Sequence, residues 1–305
     1  MMLLAACGTL GRCGTAKPLD RAAFDALYTP APAPLEQPLR AYHLGHSLVG
    51  RDMPAMLAQL AGDGHSYESQ LGWGSPLKAH WEPDEPINGF DVENDHPRYR
   101  DAREAVASGD YDALILTEMV EIRDAIKYFD SASYVQKWAD AAWSADPDTR
   151  VFLYESWHEL DDPEGWLERL DLDLTRYWED EILRPALSGE NTKRPIYVIP
   201  AGQVFATLVR AVEDRGGVGP IGGREDLFAL RDDGTRDNIH FNDLGAYLVA
   251  LTHYAVLYQR TPVGLPHSLT RADGTPATDP GAEVASLMQE VVWNVVTSYP
   301  KTGVQ

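Results

Sequence analysis

The stretch Ala41-Tyr-His-Leu-Gly-His-Ser-Leu-Val-Gly-Arg-Asp52, AYHLGHSLVGRD, decides how this chain is read. An apolar run stops at Gly45, a serine follows two residues later, and a helix-like pattern begins beyond it. Three readings compete for the turn. Gly45 and Gly50 match the glycine spacing of a phosphate-binding loop, but Arg51 and Asp52 stand where such a loop needs Lys and Ser or Thr. A carboxylate there would repel phosphate, so that reading falls. Ser47 as a helix cap, accepting a bond from an orphan helix N–H, is consistent with the local stretch. Ser47 as a nucleophile is equally consistent, because a strand-to-helix turn exposes the hydroxyl where negative charge is favoured. The nucleophile needs a base from elsewhere in the chain.

Working outward, short apolar runs alternate with longer amphipathic ones from Pro38 onward. Leu39–Leu44, Ser66–Leu71, Tyr111–Thr117, Arg150–Ser156 and Pro195–Pro200 read as five buried strands. Val49–Ala61, Tyr99–Ser108, Ser133–Ser144, Trp166–Leu187 and Gln203–Arg215 read as the helices between or after them. That alternation predicts an α/β fold: a doubly wound, five-stranded parallel sheet covered by helices on both faces. Asp243–Gln259 and Glu283–Ser298 add two further helices. Ser75–Asp95 and Gly216–Asn238 carry too many prolines, glycines and charges for regular elements. Loops of that length in a compact domain are usually lids or binding loops.

The base candidate is downstream, in RDNIHFNDLGAY (236–247). Asp237 and His240 are three apart on a turn leading into a helix. That spacing lets the carboxylate hold one imidazole nitrogen while the other faces outward, as a serine–histidine–acid triad requires. Taken with Leu44-Gly-His-Ser-Leu48 after the first strand and Leu71-Gly-Trp-Gly-Ser-Pro76 after the second, the order resembles that of the SGNH (GDS-type) hydrolases. These are esterases and lipases on a flavodoxin-like sheet. Thr117-Glu118, Tyr154-Glu-Ser-Trp157 and His240-Phe-Asn-Asp-Leu-Gly-Ala-Tyr-Leu248 resemble strand ends and a closing motif of an atypical bacterial branch. The likeness spans about residues 38–260.

The resemblance implies Ser47 as nucleophile, with His240 as base, Asp237 as its partner, and the Ser47 and Gly74 amides as oxyanion donors. It also exposes a departure. A typical member carries an oxyanion asparagine after the third strand, whereas this chain reads Ile115-Leu-Thr-Glu-Met-Val-Glu121. Glu118 is therefore expected to border the Ser47 pocket and orient a catalytic or substrate group there. Glu155 and Trp157, at the end of the fourth strand, and Trp73 are further candidates to line it. Trp73, His80 and Trp81 can equally be packing residues or sugar platforms.

The expected activity is removal of an O-acetyl or other small acyl group, most plausibly from a carbohydrate. A non-catalytic carbohydrate-binding or assembly protein and an acyltransferase are the rival readings. No cofactor is implied, and His43, His46 and His158 lack metal-ligand spacing.

Composition bounds the partners. With 26 basic and 47 acidic residues in 305, the net charge of −21 argues against an extended nucleic-acid or anionic-membrane surface. The acidic residues are spread along the chain, as on a highly solvated surface. Both cysteines, Cys7 and Cys13, lie near the start, so neither can staple the body. Leu4-Ala-Ala-Cys7 resembles the end of a lipoprotein signal, which makes Cys7 a candidate lipid anchor and export the expected route. The basic and longer apolar parts of a full signal are missing, so either the start lies upstream or the likeness is chance. With the proline-rich run TPAPAPLEQP (29–38), residues 1–37 read as leader and linker, 38–262 as the hydrolase-like domain, and 263–305 as an extension whose helix packs on it.

Overall fold

The computed structural model describes residues 17–35, 38–189 and 194–305. Cys7, Cys13 and the lipoprotein-like stretch lie outside the described residues. Five parallel strands form the central sheet: β1 (Arg40–His46), β2 (Ser66–Gly72), β3 (Ala113–Leu116), β4 (Arg150–Glu155) and β5 (Tyr197–Pro200). Their order is β2-β1-β3-β4-β5, the flavodoxin-like order expected from the alternation. β1 and β3 register Ala41 with Ala113 and Leu44 with Leu116, so the polar turns that follow both strands emerge at the same edge.

The helices, in chain order, are α1 (Arg21–Ala26), α2 (Asp52–Ala61), α3 (Leu77–Trp81), α4 (Phe90–Glu93), α5 (Ala102–Ser108) and α6 (Ile122–Phe129). They continue with α7 (Ser131–Ala145), α8 (Trp166–Asp173), α9 (Arg184–Ala186), α10 (Ala201–Glu213), α11 (Asp243–Tyr258) and α12 (Ala282–Ser298). Between α8 and α9 the chain stays helical through wider π-type turns, Leu174–Leu183. Buried Met53, Met56, Leu57 and Leu60 recur at helical spacing and turn one face of α2 inward. α11 is buried on every side from Leu244 to Tyr258; α2 and α12 pack against it. A helix apolar all round can exist only in such a sandwich. α5 and α7 pack together in the opposing layer, with α3 beside α7. Among the described residues no helix is long and apolar enough to cross a membrane.

Three regions differ from the expectation. The first is the segment read as linker. Asp20 caps α1 through Ala23 N, Phe24 and Tyr28 are buried, and the Tyr28 hydroxyl donates to the Ile196 carbonyl at 2.8 Å. Two aromatic side chains among polar and small neighbours were enough to dock it. The second is α6, whose charged sequence hides a narrow buried face of Ile122 and Ala125. The third is the 216–238 loop, which carries an antiparallel hairpin, β6 (Phe228–Leu230) with β7 (Arg236–Phe241).

Candidate active site

The Ser47 turn leaves β1 at the point where the sheet order reverses, the crevice position at which open α/β sheets bind ligands. Ser47 does not cap the next helix. Gly50 takes a φ of +59°, α2 starts only at Asp52, and its N-cap residue is Arg51. The Ser47 hydroxyl instead lies 2.9 Å from His240 Nε2. His240 Nδ1 is 3.1 Å from Asp237 Oδ2, completing a Ser–His–Asp line.

Asp237 and His240 sit on β7 rather than on a turn before a helix. In a regular strand, residues three apart point to opposite faces. Here Asp237 Oδ1 accepts from the Ile239 and His240 amides at 2.9 and 2.8 Å, bending the chain round the carboxylate so that Oδ2 meets the imidazole. Burial opposes ionisation of Asp237, but the two amides and the imidazole outweigh it and hold the carboxyl down at about 2. It therefore stays charged throughout the working range. The hairpin is fixed from below: Trp157 Nε1 donates to the Ile239 carbonyl at 2.8 Å, and Leu160 N donates to the Asn238 carbonyl at 2.9 Å.

The nucleophile side rests on buried polar groups. His46 Nε2 donates to the Glu118 carbonyl at 2.8 Å, and His80 Nε2 donates to the Gly45 carbonyl at 2.9 Å. Gln70 sets the His80 tautomer: its Oε1 accepts from Ala102 N, so its amide donates to His80 Nδ1 at 3.0 Å. Burial lowers both imidazoles to about 4, which keeps them neutral. Gly45 has to be glycine. A Cβ there would fall 2.5 Å from the Thr117 Cβ, just past the end of the neighbouring β3.

The pocket over Ser47 has a volume of about 610 Å³ and is walled by Gly50, Trp73, Gly74, Glu93, Val120, Glu159 and Ile239 beside the His46–Leu48 turn and His240. Gly74 adopts φ +54°. The Trp73 amide is bonded to the Asn88 carbonyl at 2.7 Å, whereas among the described residues the Gly74 amide has no acceptor. Trp73 is half exposed and is held by Nε1 donating to Glu93 Oε1 at 2.8 Å.

Of the residues expected to line the pocket, Trp73 does so; Glu118, Glu155 and Trp157 are buried and absent from its wall. Glu118 Oε1 accepts from Met119 N at 2.8 Å and Leu77 N at 3.1 Å, tying the third strand's end to the start of α3. Burial pushes its carboxyl up to about 7, against the pull of those amides and the nearby Ser131 hydroxyl. Val120, two residues on, is the wall residue. Glu155 is pushed up to about 8 by burial, and its oxygens are held by the amide and side chain of Gln203. Trp157 is part of the aromatic core with Phe205 and Phe241. Sequence reasoning missed Val120, Glu93 and Glu159. Their signal lay only in their position beyond strand ends and in the 75–95 loop. No cluster of three or more metal-ligating side chains occurs among the described residues.

The fold and site together define a flavodoxin-like α/β protein with a Ser–His–Asp constellation at the carboxyl edge of its sheet. No protein-family model and no curated protein matches the sequence. Among solved structures the chain is similar to a DUF4886 family protein from Bacteroides uniformis, with 14% identity and a TM-score of 0.52 over 86% of this chain and 96% of that one. At that identity the likeness shows the fold alone. Looser fits are found to a carbohydrate esterase family 2 enzyme from Corynascus thermopiles (9% identity, 74% and 67% covered, TM-score 0.39) and to a carbohydrate esterase family 3 enzyme from Talaromyces cellulolyticus (15%, 73% and 97%, TM-score 0.36). Neither fit is close enough to bear on activity.

Proposed function

We propose that this chain is a serine esterase of the SGNH type that removes a small acyl group, O-acetyl on a carbohydrate being the favoured substrate. The observation that carries the reading is the hydrogen-bonded line from Ser47 Oγ through His240 to Asp237, open to a pocket. Ser47 Oγ attacks the ester carbonyl as its proton passes to His240 Nε2. Asp237 stabilises the imidazolium. The Ser47 and Gly74 amides receive the oxyanion, and the proton then goes to the departing alcohol. Water, deprotonated by the same imidazole, releases the carboxylic acid. The exposed Trp73 indole offers a flat face to a sugar ring next to the nucleophile, which supports the carbohydrate assignment.

Reaction with a fluorophosphonate probe, followed by peptide mapping, is the direct test. Labelling confined to Ser47 and abolished in Ser47→Ala is expected; an unlabelled native protein would return the chain to the binding-protein reading. Export with a lipid on Cys7 belongs to the same proposal. Membrane partitioning of the full-length chain that persists in Cys7→Ser would remove that part alone.

A further inference from the structure

We infer that a second cavity, next to the Ser47 pocket, is a subsite for an anionic group of the substrate, a carboxylate or a phosphate. Its link to catalysis rests on the esterase reading above. The cavity measures about 590 Å³ and shares Gly50 with the Ser47 pocket. Gly50 thus stands between the two spaces, three residues from the nucleophile. Arg51, Arg98 and Arg271 converge on the cavity from the start of α2, the segment after α4 and the C-terminal loop. No Asp or Glu is among its lining residues, in a chain with 21 more acidic than basic residues.

Three arginines around one cavity would repel one another unless something balances them. Arg271 is balanced internally: its guanidinium forks onto both Asp243 oxygens at 2.6 and 2.9 Å. Arg51 and Arg98 make no ion pair among the described residues. Arg51 is held in place by the Val92 carbonyl, and Arg98 lies over the Tyr67 ring at 5.0 Å. The nearby Asp52 carboxylate accepts from the Ala272 amide at 2.9 Å. Two guanidinium groups with no carboxylate paired to them are suited to forked recognition of a planar or tetrahedral anion.

The contrast with the neighbouring pocket orients the substrate. Two carboxylates, Glu93 and Glu159, wall the pocket beside Ser47 and disfavour an anionic substrate group there. The ester would lie over Ser47, with the acidic substituent across Gly50. The substrate class is then an acylated acidic sugar, a uronate or a sugar phosphate, rather than a neutral one.

Calorimetric titration of full-length Ser47→Ala with methyl glucuronide and with inorganic phosphate tests the site without turnover. Binding of at least one, weakened about tenfold or more by adding Arg98→Gln or Arg51→Gln, is expected. Which of the two binds separates uronate from phosphate. No binding of either, or binding that both substitutions leave unchanged in folded protein, overturns the subsite. Kinetics on O-acetylated methyl glucuronide and O-acetylated methyl glucoside test the link. An acidic-to-neutral ratio of kcat/KM well above one, collapsing toward one in Arg98→Gln, is expected. A ratio that the substitution does not move overturns the assignment to the substrate. Anion binding in a protein that hydrolyses no ester would sink the esterase reading while leaving the subsite standing.

Discussion

The two halves of the triad are held by different parts of the molecule. Ser47 stands on a buried platform: His46, His80 and Glu118 are all under 5% exposed and bonded to backbone groups of β1, of the chain just past β3 and of the start of α3. His240, with a side chain 44% exposed, rides a surface hairpin of two short strands outside the main sheet. Moving the nucleophile means breaking buried hydrogen bonds. Moving the base needs only a shift of the hairpin against Trp157 and Leu160. Damage to the first half should therefore appear as lost stability, and damage to the second as lost activity.

The largest expected effect removes the comparison altogether. Ser47→Ala or His240→Ala should lower turnover of an aryl acetate by about 10³ or more, because triad members act as a unit. Asp237→Asn should cost less, since the bent backbone still presents His240. Near-native turnover in Ser47→Ala would end the nucleophile assignment.

Next comes a pair of substitutions that should split in opposite directions. His80→Phe leaves the buried Gly45 carbonyl without its imidazole donor and should cost about 1–3 kcal/mol of stability. Trp157→Phe removes the donor to Ile239 together with part of a buried ring, so it should lower kcat about tenfold in addition to a cost in stability of its own. Urea unfolding and kinetics on the same samples decide it; equal losses of stability and activity in both variants would contradict the division.

A smaller effect lies in pH. The raised carboxyls of Glu118 and Glu155 bind a proton in the folded state that the unfolded chain releases near 4.5. Their contribution is present below 4.5 and is lost as pH rises toward about 7 and about 8. The lowered His46 and His80 act in the opposite sense: their contribution is present above 6.5 and is lost as pH falls toward about 4. Glu155→Gln should flatten the decline of unfolding free energy on the alkaline side, by about 1.4 kcal/mol for each pKa unit removed. An unchanged pH profile would show that burial does not hold that proton. Glu118→Gln should flatten it likewise while keeping kcat within about threefold, because the amide oxygen can still accept from Met119 and Leu77. A tenfold fall in kcat would restore the direct role first expected for Glu118.

The smallest effect belongs to Arg231, whose exposed guanidinium lies 3.6 Å from Asp237 Oδ2. Arg231→Ala should change kcat/KM less than threefold at moderate salt, since an exposed pair contributes little. A tenfold loss would make the hairpin tip part of the catalytic machinery.

Local order was legible where apolar periodicity is strong. The five strands and the helices at 52–61, 102–108, 131–145, 201–213, 243–258 and 282–298 lie within a few residues of their expected places, because each buries a regular stripe. Ser47, Gly74, Asp237 and His240 were singled out by motif order; the fold brings Ser47, Gly74 and His240 to one pocket and places Asp237 against the far nitrogen of the His240 ring. What the sequence could not decide were directions and long-range partners. Whether Glu118 or Val120 faces the pocket depends on α3 offering the Leu77 amide from 41 residues away. Whether Asp237 meets His240 depends on two of their own backbone amides folding round a carboxylate, held by a tryptophan 82 positions from Ile239. The basic cavity assembles from arginines at 51, 98 and 271, none of which has the others within its sequence neighbourhood. Periodicity is a property of neighbours along the chain, whereas a polar side chain turns toward whichever partner satisfies it, and only the folded chain supplies that partner.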